Sequence, residues 1–306
     1  MPGRSGWRSV GNSVDGNRDW KRGGAAGMQA GIGQNQPSPV QGTPLIQLEK
    51  VGLTLGQQAS TRTQGWFGKR SALTLPGYPV FQGVSGKIHA GDRWAVIGAV
   101  GSGKTSLLRL LNRLMDPTQG RLFWQGQPYD RVPIATLRQQ IMAVAQEPKL
   151  LGMTVQQALE YPLRLRNLAP EEINDRVKAC LAQMTIPDAW LAKTEAQLSA
   201  GQRQWVAIAR GIIAQPTVLL LDEPTAYLDP KLIQQLTECL LPAKTVPTVI
   251  IATHDIPWIQ DICTSAMYLT DRRGQWFTDR PDWAGLQAQL SQARQQLAAE
   301  WDEPLE

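Results

Sequence analysis

The chain has 306 residues, 42% of them hydrophobic, enough to bury one large core or two smaller ones. Its 31 Lys and Arg against 26 Asp and Glu leave a net charge of +5, which neither demands nor excludes nucleic acid; a solvated surface accounts for it, and no nucleic-acid partner is expected. Cys180, Cys239 and Cys263 are odd in number and lack C-x-x-C spacing, which argues against a disulfide framework or a zinc site and for a reducing compartment.

Residues 1–43 are rich in Gly, Ser, Asn, Gln and Pro without apolar periodicity, the composition of a disordered tail. Met28 offers a second start within it, and Arg4, Arg8, Arg18, Lys21 and Arg22 outnumber Asp15 and Asp19, so a basic functional tail is the alternative. The first residues lack the apolar stretch of a secretion signal. No run approaches the roughly 20 apolar residues that cross a bilayer; the longest, Val218–Leu221 and Val249–Ala252, are strand-sized. Any role at a membrane is therefore expected to work by docking on another protein.

Folded sequence begins near Leu45. Leu45–Leu55 reads as a strand, followed by a polar stretch, Gln57–Gly77, that contains Trp66 and Phe67. Val80–Ile88 and Arg93–Ile97 read as strands, the second leading through a Gly-rich turn into a helix over Thr105–Leu114. Ile141–Ala145 is a short apolar run. From about Glu147 to Gln197 the pattern turns helical, with candidate helices at Val155–Arg166, Pro170–Met184 and Asp188–Thr194, and another follows at Gln202–Ala214. Val218–Leu221, Val249–Ala252 and Met267–Thr270 are short Leu-rich or β-branched strands separated by helical stretches, the pattern of buried parallel strands in an α/β core. Trp283–Trp301 predicts a terminal helix without a persistent heptad.

Four places on this framework carry chemistry. Gly98-Ala99-Val100-Gly101-Ser102-Gly103-Lys104-Thr105 fits GxxxxGK[ST] between a strand and a helix. Its glycines let backbone N–H groups curl around phosphate oxygens, and the helix N-terminus adds partial positive charge. Lys104 would reach the β and γ phosphates and the Thr105 hydroxyl would ligate Mg²⁺. Asp222 and Glu223 end an apolar strand; Asp222 suits Mg²⁺ and Glu223 suits a general base on the attacking water. His254 follows the next core strand, which puts it on the same sheet edge, in reach of a γ-phosphate. Gln146, after Ile141–Ala145, is neutral and able to bind both Mg²⁺ and water.

Taken together and in order, GAVGSGKT (Gly98–Thr105), Gln146 in AQEP, LSAGQ (Leu198–Gln202), LLLDEPT (Leu219–Thr225), AYLD (Ala226–Asp229) and THD (Thr253–Asp255) resemble the ATP-binding subunits of ABC transporters, over roughly Leu45 to Asp271. The resemblance implies a P-loop NTPase (RecA-like) α/β core with an antiparallel β subdomain and an inserted helical subdomain at about 147–200, the ATPase domain spanning 44–282 and a helix and tail 283–306. It implies ATP and Mg²⁺ as ligands, with Ser106 joining the phosphate loop. It also implies a head-to-tail dimer in which Ser199, Gly201 and Gln202 face the nucleotide held by the other subunit and Asp229 crosses the interface. The remaining expected partner is a membrane-spanning permease, which would keep the chain on the cytoplasmic face of the membrane. Homodimer is the simpler expectation. A soluble ABC-type ATPase and a weakly active regulatory half of a heterodimer are the alternatives.

Against the family pattern, Ala200 replaces a Gly and Trp205 replaces a residue that is usually Arg, changing a helix-face contact from ionic to aromatic. Tyr78 is the choice for the aromatic that stacks on adenine, with Trp66 and Phe67 competing. Gln146 through Tyr161-Pro162-Leu163-Arg164 is similar to ATPases of iron export or phosphate import.

Overall fold

In a computed structural model, residues 42–56, 77–241 and 248–302 are described. The tail, Met28, Trp66 and Phe67 lie outside these residues.

Six strands form the central sheet: β3 (Arg93–Ile97), β6 (Ile141–Val144), β7 (Val218–Asp222), β8 (Thr248–Ala252), β9 (Ser265–Thr270) and β10 (Arg273–Phe277), in the order β10-β9-β3-β8-β7-β6. All are parallel except β10, which pairs antiparallel with β9. Every residue of β3, β7 and β8 is buried, which is why these segments are apolar without a polar face. The side chains alternate between two cores. Ala95, Ile97, Leu219, Leu221, Val249 and Ile251 join the helices on one side, while Trp94, Val96, Leu220 and Ile250 join the other core.

That second core is closed by an antiparallel sheet, ordered β2-β1-β4-β5, from β1 (Ile46–Leu55), β2 (Tyr78–Ile88), β4 (Gln119–Trp124) and β5 (Gln127–Pro128), together with helices α1 (Lys104–Leu111) and α2 (Ile134–Gln140). β4, β5, α2 and β10 escape the sequence reading. β4 shows only Leu122 and Trp124 to the core, too few for a periodic signal. Helix α1 starts at Lys104 and stops before the expected Leu114, because Arg113 turns left-handed at φ 56°.

Helices α3 (Val155–Arg164) and α4 (Pro170–Gln183) fall between β6 and α5 (Ala200–Ile213) and share the first core with α5. A capping box between Thr154 and Gln157 fixes the start of α3. The helix expected over Asp188–Thr194 is instead a single 3₁₀ turn, Asp188–Trp190. Beyond it, the Leu191 and Lys193 carbonyls accept from the Gln156 and Val155 amides, so this backbone satisfies the open end of α3 and does not continue a helix. Trp205 is 1% exposed inside the first core, and its Nε1 donates to the Met184 carbonyl at 2.8 Å, so this aromatic residue joins α5 to the end of α4.

Helix α6 (Pro230–Leu240) is held at both ends. Asp229 caps its N-terminus by accepting from the Leu232 amide at 2.9 Å. At the other end the buried Arg93, first residue of β3, donates to the Leu240 and Leu241 carbonyls at 2.5 and 3.2 Å. Helix α7 (Ile256–Ile259) and the terminal α8 (Trp283–Asp302) complete the described chain, with Leu286 and Leu290 of α8 buried in the first core.

Candidate functional site

Because β3, β6, β7 and β8 run parallel, their C-terminal ends share one edge, and each is followed there by a residue with chemistry: Gly98, Gln146, Asp222 with Glu223, and Thr253 with His254.

The turn after β3 is built around close approaches. A Cβ at Gly98 would lie 2.7 Å from the Leu269 carbonyl oxygen and run into the Ser102 hydroxyl, so only Gly fits. Gly103 caps α1 at φ 98°, and a Cβ there would lie 2.6 Å from Val80 Cγ1. Ala99 and the exposed Val100 and Gly101 form the tip, while Thr105 and Ser106 stand half-buried on the first turn of α1. The Ser102 hydroxyl is buried and has no hydrogen-bond partner among the described residues, as suits a group that meets a phosphate oxygen.

Lys104 is 8% exposed and donates from Nζ to the Gly98 and Ala99 carbonyls at 2.9 and 3.1 Å. The same ammonium lies 3.8 Å from Glu223 Oε1. Burial holds its pKa below the usual lysine value, against the pull of Glu223 and Asp222 and with a smaller push from Arg294.

Glu223 is the best-held side chain of the group. Its Oε2 accepts from the buried Thr253 hydroxyl at 3.0 Å and its Oε1 faces His254 Nδ1 at 3.0 Å. Its amide donates to the Ala252 carbonyl at 2.8 Å. The backbone at Glu223 is left-handed, φ 44°, a conformation that costs a non-Gly residue free energy and persists only where the surroundings enforce it. Thr253 is a positioning residue to which sequence reasoning gave no role, because a Thr at a strand end carries no signal until its partner is known.

Asp222 is 5% exposed, and its Oδ1 has no hydrogen-bond partner among the described residues. Burial pushes its pKa up, opposed by the Thr105 hydroxyl and by Lys104. An unpaired carboxylate oxygen beside a Thr hydroxyl fits a hard divalent cation such as Mg²⁺. Thr105, Asp222 and the exposed Gln146 line one cavity of about 440 Å³, so the three expected metal-binding residues come together.

The LSAGQ segment lies elsewhere. Ser199 caps α5, accepting from the Gln202 amide at 3.2 Å, while Gln202 Oε1 accepts from the Ser199 amide at 3.0 Å. Ser199, Gly201, Gln202 and Asp229 line a second cavity of about 480 Å³ with Tyr227, and share none of its lining with the first. Gly201 is required by contact: a Cβ there would lie 2.6 Å from the Tyr227 carbonyl oxygen. Tyr78 stands exposed at the start of β2, opposite Leu55, with the Arg272 guanidinium 5.7 Å from its ring centroid.

Comparison with known proteins yields consistent likenesses. The sequence profile described as ABC transporter matches residues 81–226. The histidine/lysine/arginine/ornithine transport ATP-binding protein HisP of Escherichia coli (strain K12) is 32% identical over 208 residues, covering 63% of this chain and 81% of HisP. ABC transporter I family member 17 of Arabidopsis thaliana is 35% identical, covering 64% of this chain and 74% of that protein. The methionine import ATP-binding protein MetN of Caulobacter vibrioides is 35% identical, covering 61% of this chain, and the chain spans only 58% of MetN's length. Among solved structures, cbiO1 from Clostridium perfringens, part of the ABC transporter complex cbiONQ, superposes with a TM-score of 0.63 at 25% identity, covering 85% of this chain and all of cbiO1. The ATP-binding cassette MJ0796 bound to ADP and Pi superposes at 0.62 and 24% identity, covering 77% and 99%, a likeness of fold.

Proposed function

The chain belongs to the family of ABC transporter ATP-binding proteins, and from that premise we propose that it hydrolyses ATP to ADP and phosphate to drive a separate membrane-spanning partner. The observation that carries the hydrolytic part is the position of Glu223 Oε1, 3.0 Å from His254 Nδ1 and 3.8 Å from the Lys104 ammonium.

In this mechanism the loop Gly98–Thr105, with Ser106, wraps the phosphates, and Lys104 exchanges its contacts with the Gly98 and Ala99 carbonyls for phosphate oxygens. Thr105, Gln146 and Asp222 hold Mg²⁺, which when bound neutralises phosphate charge. Glu223 takes a proton from the attacking water, and Thr253 and His254 keep its carboxylate aimed during the transfer. His254 also holds the γ-phosphate. Tyr78 stacks on adenine.

Ser199, Gly201, Gln202 and Asp229 serve the nucleotide of a second copy of the chain in a head-to-tail dimer. Their gathering around a separate cavity supports this division. A permease subunit on the cytoplasmic membrane face completes the assembly; among the described residues no helix is long and apolar enough to cross a membrane. The solute is set by that partner.

The test is ATP turnover by the purified chain beside Glu223→Gln. Phosphate release by the parent far above that of the variant supports the proposal. Equally slow release by both overturns it.

A further inference from the structure

Helix α8 carries a cation to the edge of this site. Leu286 and Leu290 are buried in the first core, and Arg294 continues the same i, i+4 face by one more turn. From there its Nη2 donates to the main-chain carbonyl of His254 at 3.4 Å. The guanidinium is also close enough to Lys104 to act on its charge, after burial and the two carboxylates. A residue forty positions downstream of His254 thus touches its backbone.

His254 needs such a contact. Its ring is half-exposed, so little packing fixes it, and its aim depends on the main chain at the end of β8. That chain is held on both sides of the ring, upstream by the Thr253 amide donating to the Val96 carbonyl and downstream by the Asp255 amide donating to the Thr253 hydroxyl, which leaves the His254 carbonyl itself. The His254 carbonyl faces outward, and Arg294 is what meets it. We propose that Arg294 is a positioning residue for His254, so that α8 forms part of the ATPase apparatus; this rests on the hydrolytic function proposed above. The guanidinium steadies the peptide that carries the imidazole, and through Nδ1 the imidazole steadies Glu223.

The experiment compares steady-state ATP turnover and thermal midpoints of the full chain, Arg294→Ala, Arg294→Lys and Glu223→Gln. One long hydrogen bond to a cation predicts a fall in kcat of about fivefold for Arg294→Ala, with KM moving less than about twofold. The thermal midpoint stays unchanged, since the side chain is exposed, and Arg294→Lys recovers part of the loss. An unchanged kcat overturns the proposal. So does a raised KM at constant kcat, which would assign Arg294 to the nucleotide itself, or a fall in midpoint shared by both Arg294 variants, which would make the role structural. A parent no faster than Glu223→Gln instead overturns the hydrolytic function, and this inference falls with it.

Discussion

Glu223 and His254 face each other at 3.0 Å across the ends of neighbouring parallel strands, and each is aimed by the other. Glu223→Gln should lower phosphate release by about 10²–10⁴-fold, the range for loss of a general base, while nucleotide binding persists. Residues that work as a unit are non-additive. His254→Ala combined with Glu223→Gln should therefore be no slower than Glu223→Gln alone, as single-turnover measurements would read directly. A double variant slower by the product of the two single effects would separate their roles.

Asp222→Asn should stabilise the protein at neutral pH while removing turnover. Burial raises the folded-state pKa of Asp222, so its ionised form is less favourable in the folded chain than in the unfolded one. That penalty is fully present above the raised pKa and vanishes as pH falls to the ordinary carboxylate value. The higher melting midpoint of the Asn variant should thus shrink toward the parent's on acidification. Mg²⁺ with ATP should raise the midpoint of Glu223→Gln more than that of Asp222→Asn, which keeps the phosphate loop but loses one ligand to the metal.

Trp205→Ala should cost about 3–5 kcal/mol by urea unfolding, the range for emptying a large aromatic site. Trp205→Phe keeps most of the volume and loses the bond to the Met184 carbonyl, about 1 kcal/mol. Hydrogen exchange should rise first where α4 meets α5. A loss under about 1 kcal/mol for the Ala variant would contradict the burial.

Gly201→Ala sets two effects against each other. Ala is the better helix former by about 1 kcal/mol, but its Cβ would lie 2.6 Å from a main-chain oxygen at Tyr227. Backbone gives way at greater cost, so a net loss of about 1–2 kcal/mol is expected. Turnover should fall as well, because Tyr227 stands two residues before Asp229. A more stable variant with full turnover would show that the stretch after Glu223 is free to move aside.

The central sheet was legible because complete burial leaves an apolar run with a boundary at each end, as at Val218–Leu221 and Val249–Ala252. The phosphate loop was legible because close approach demands Gly98 and Gly103 at fixed spacing. Sequence placed Asp222, Glu223 and His254 on one edge through strand order, and the structure brings Glu223 and His254 into contact. What stayed hidden depends on partners distant along the chain. Thr253 acquires meaning only beside Glu223, and Trp205 only beside Met184. The turn at Asp188–Trp190 was misjudged because the local pattern favours a helix, while the unpaired amides of α3 claim the backbone beyond it. Two-faced short strands such as β4 and β10 offer too few core residues for any period to show.

The clamping of α6 at both ends gives the molecule a lever. Eleven residues of helix make a rod about 16 Å long. One end is capped by Asp229, beside the cavity of Ser199 and Gly201; the other is bolted by Arg93, the first residue of β3. The last residue of β3 hands the chain to Gly98. One helix therefore spans from Asp229 to the strand that carries the phosphate loop, so in the dimer proposed above each copy would hold its own loop and the residue facing its partner's nucleotide at the two ends of a single element.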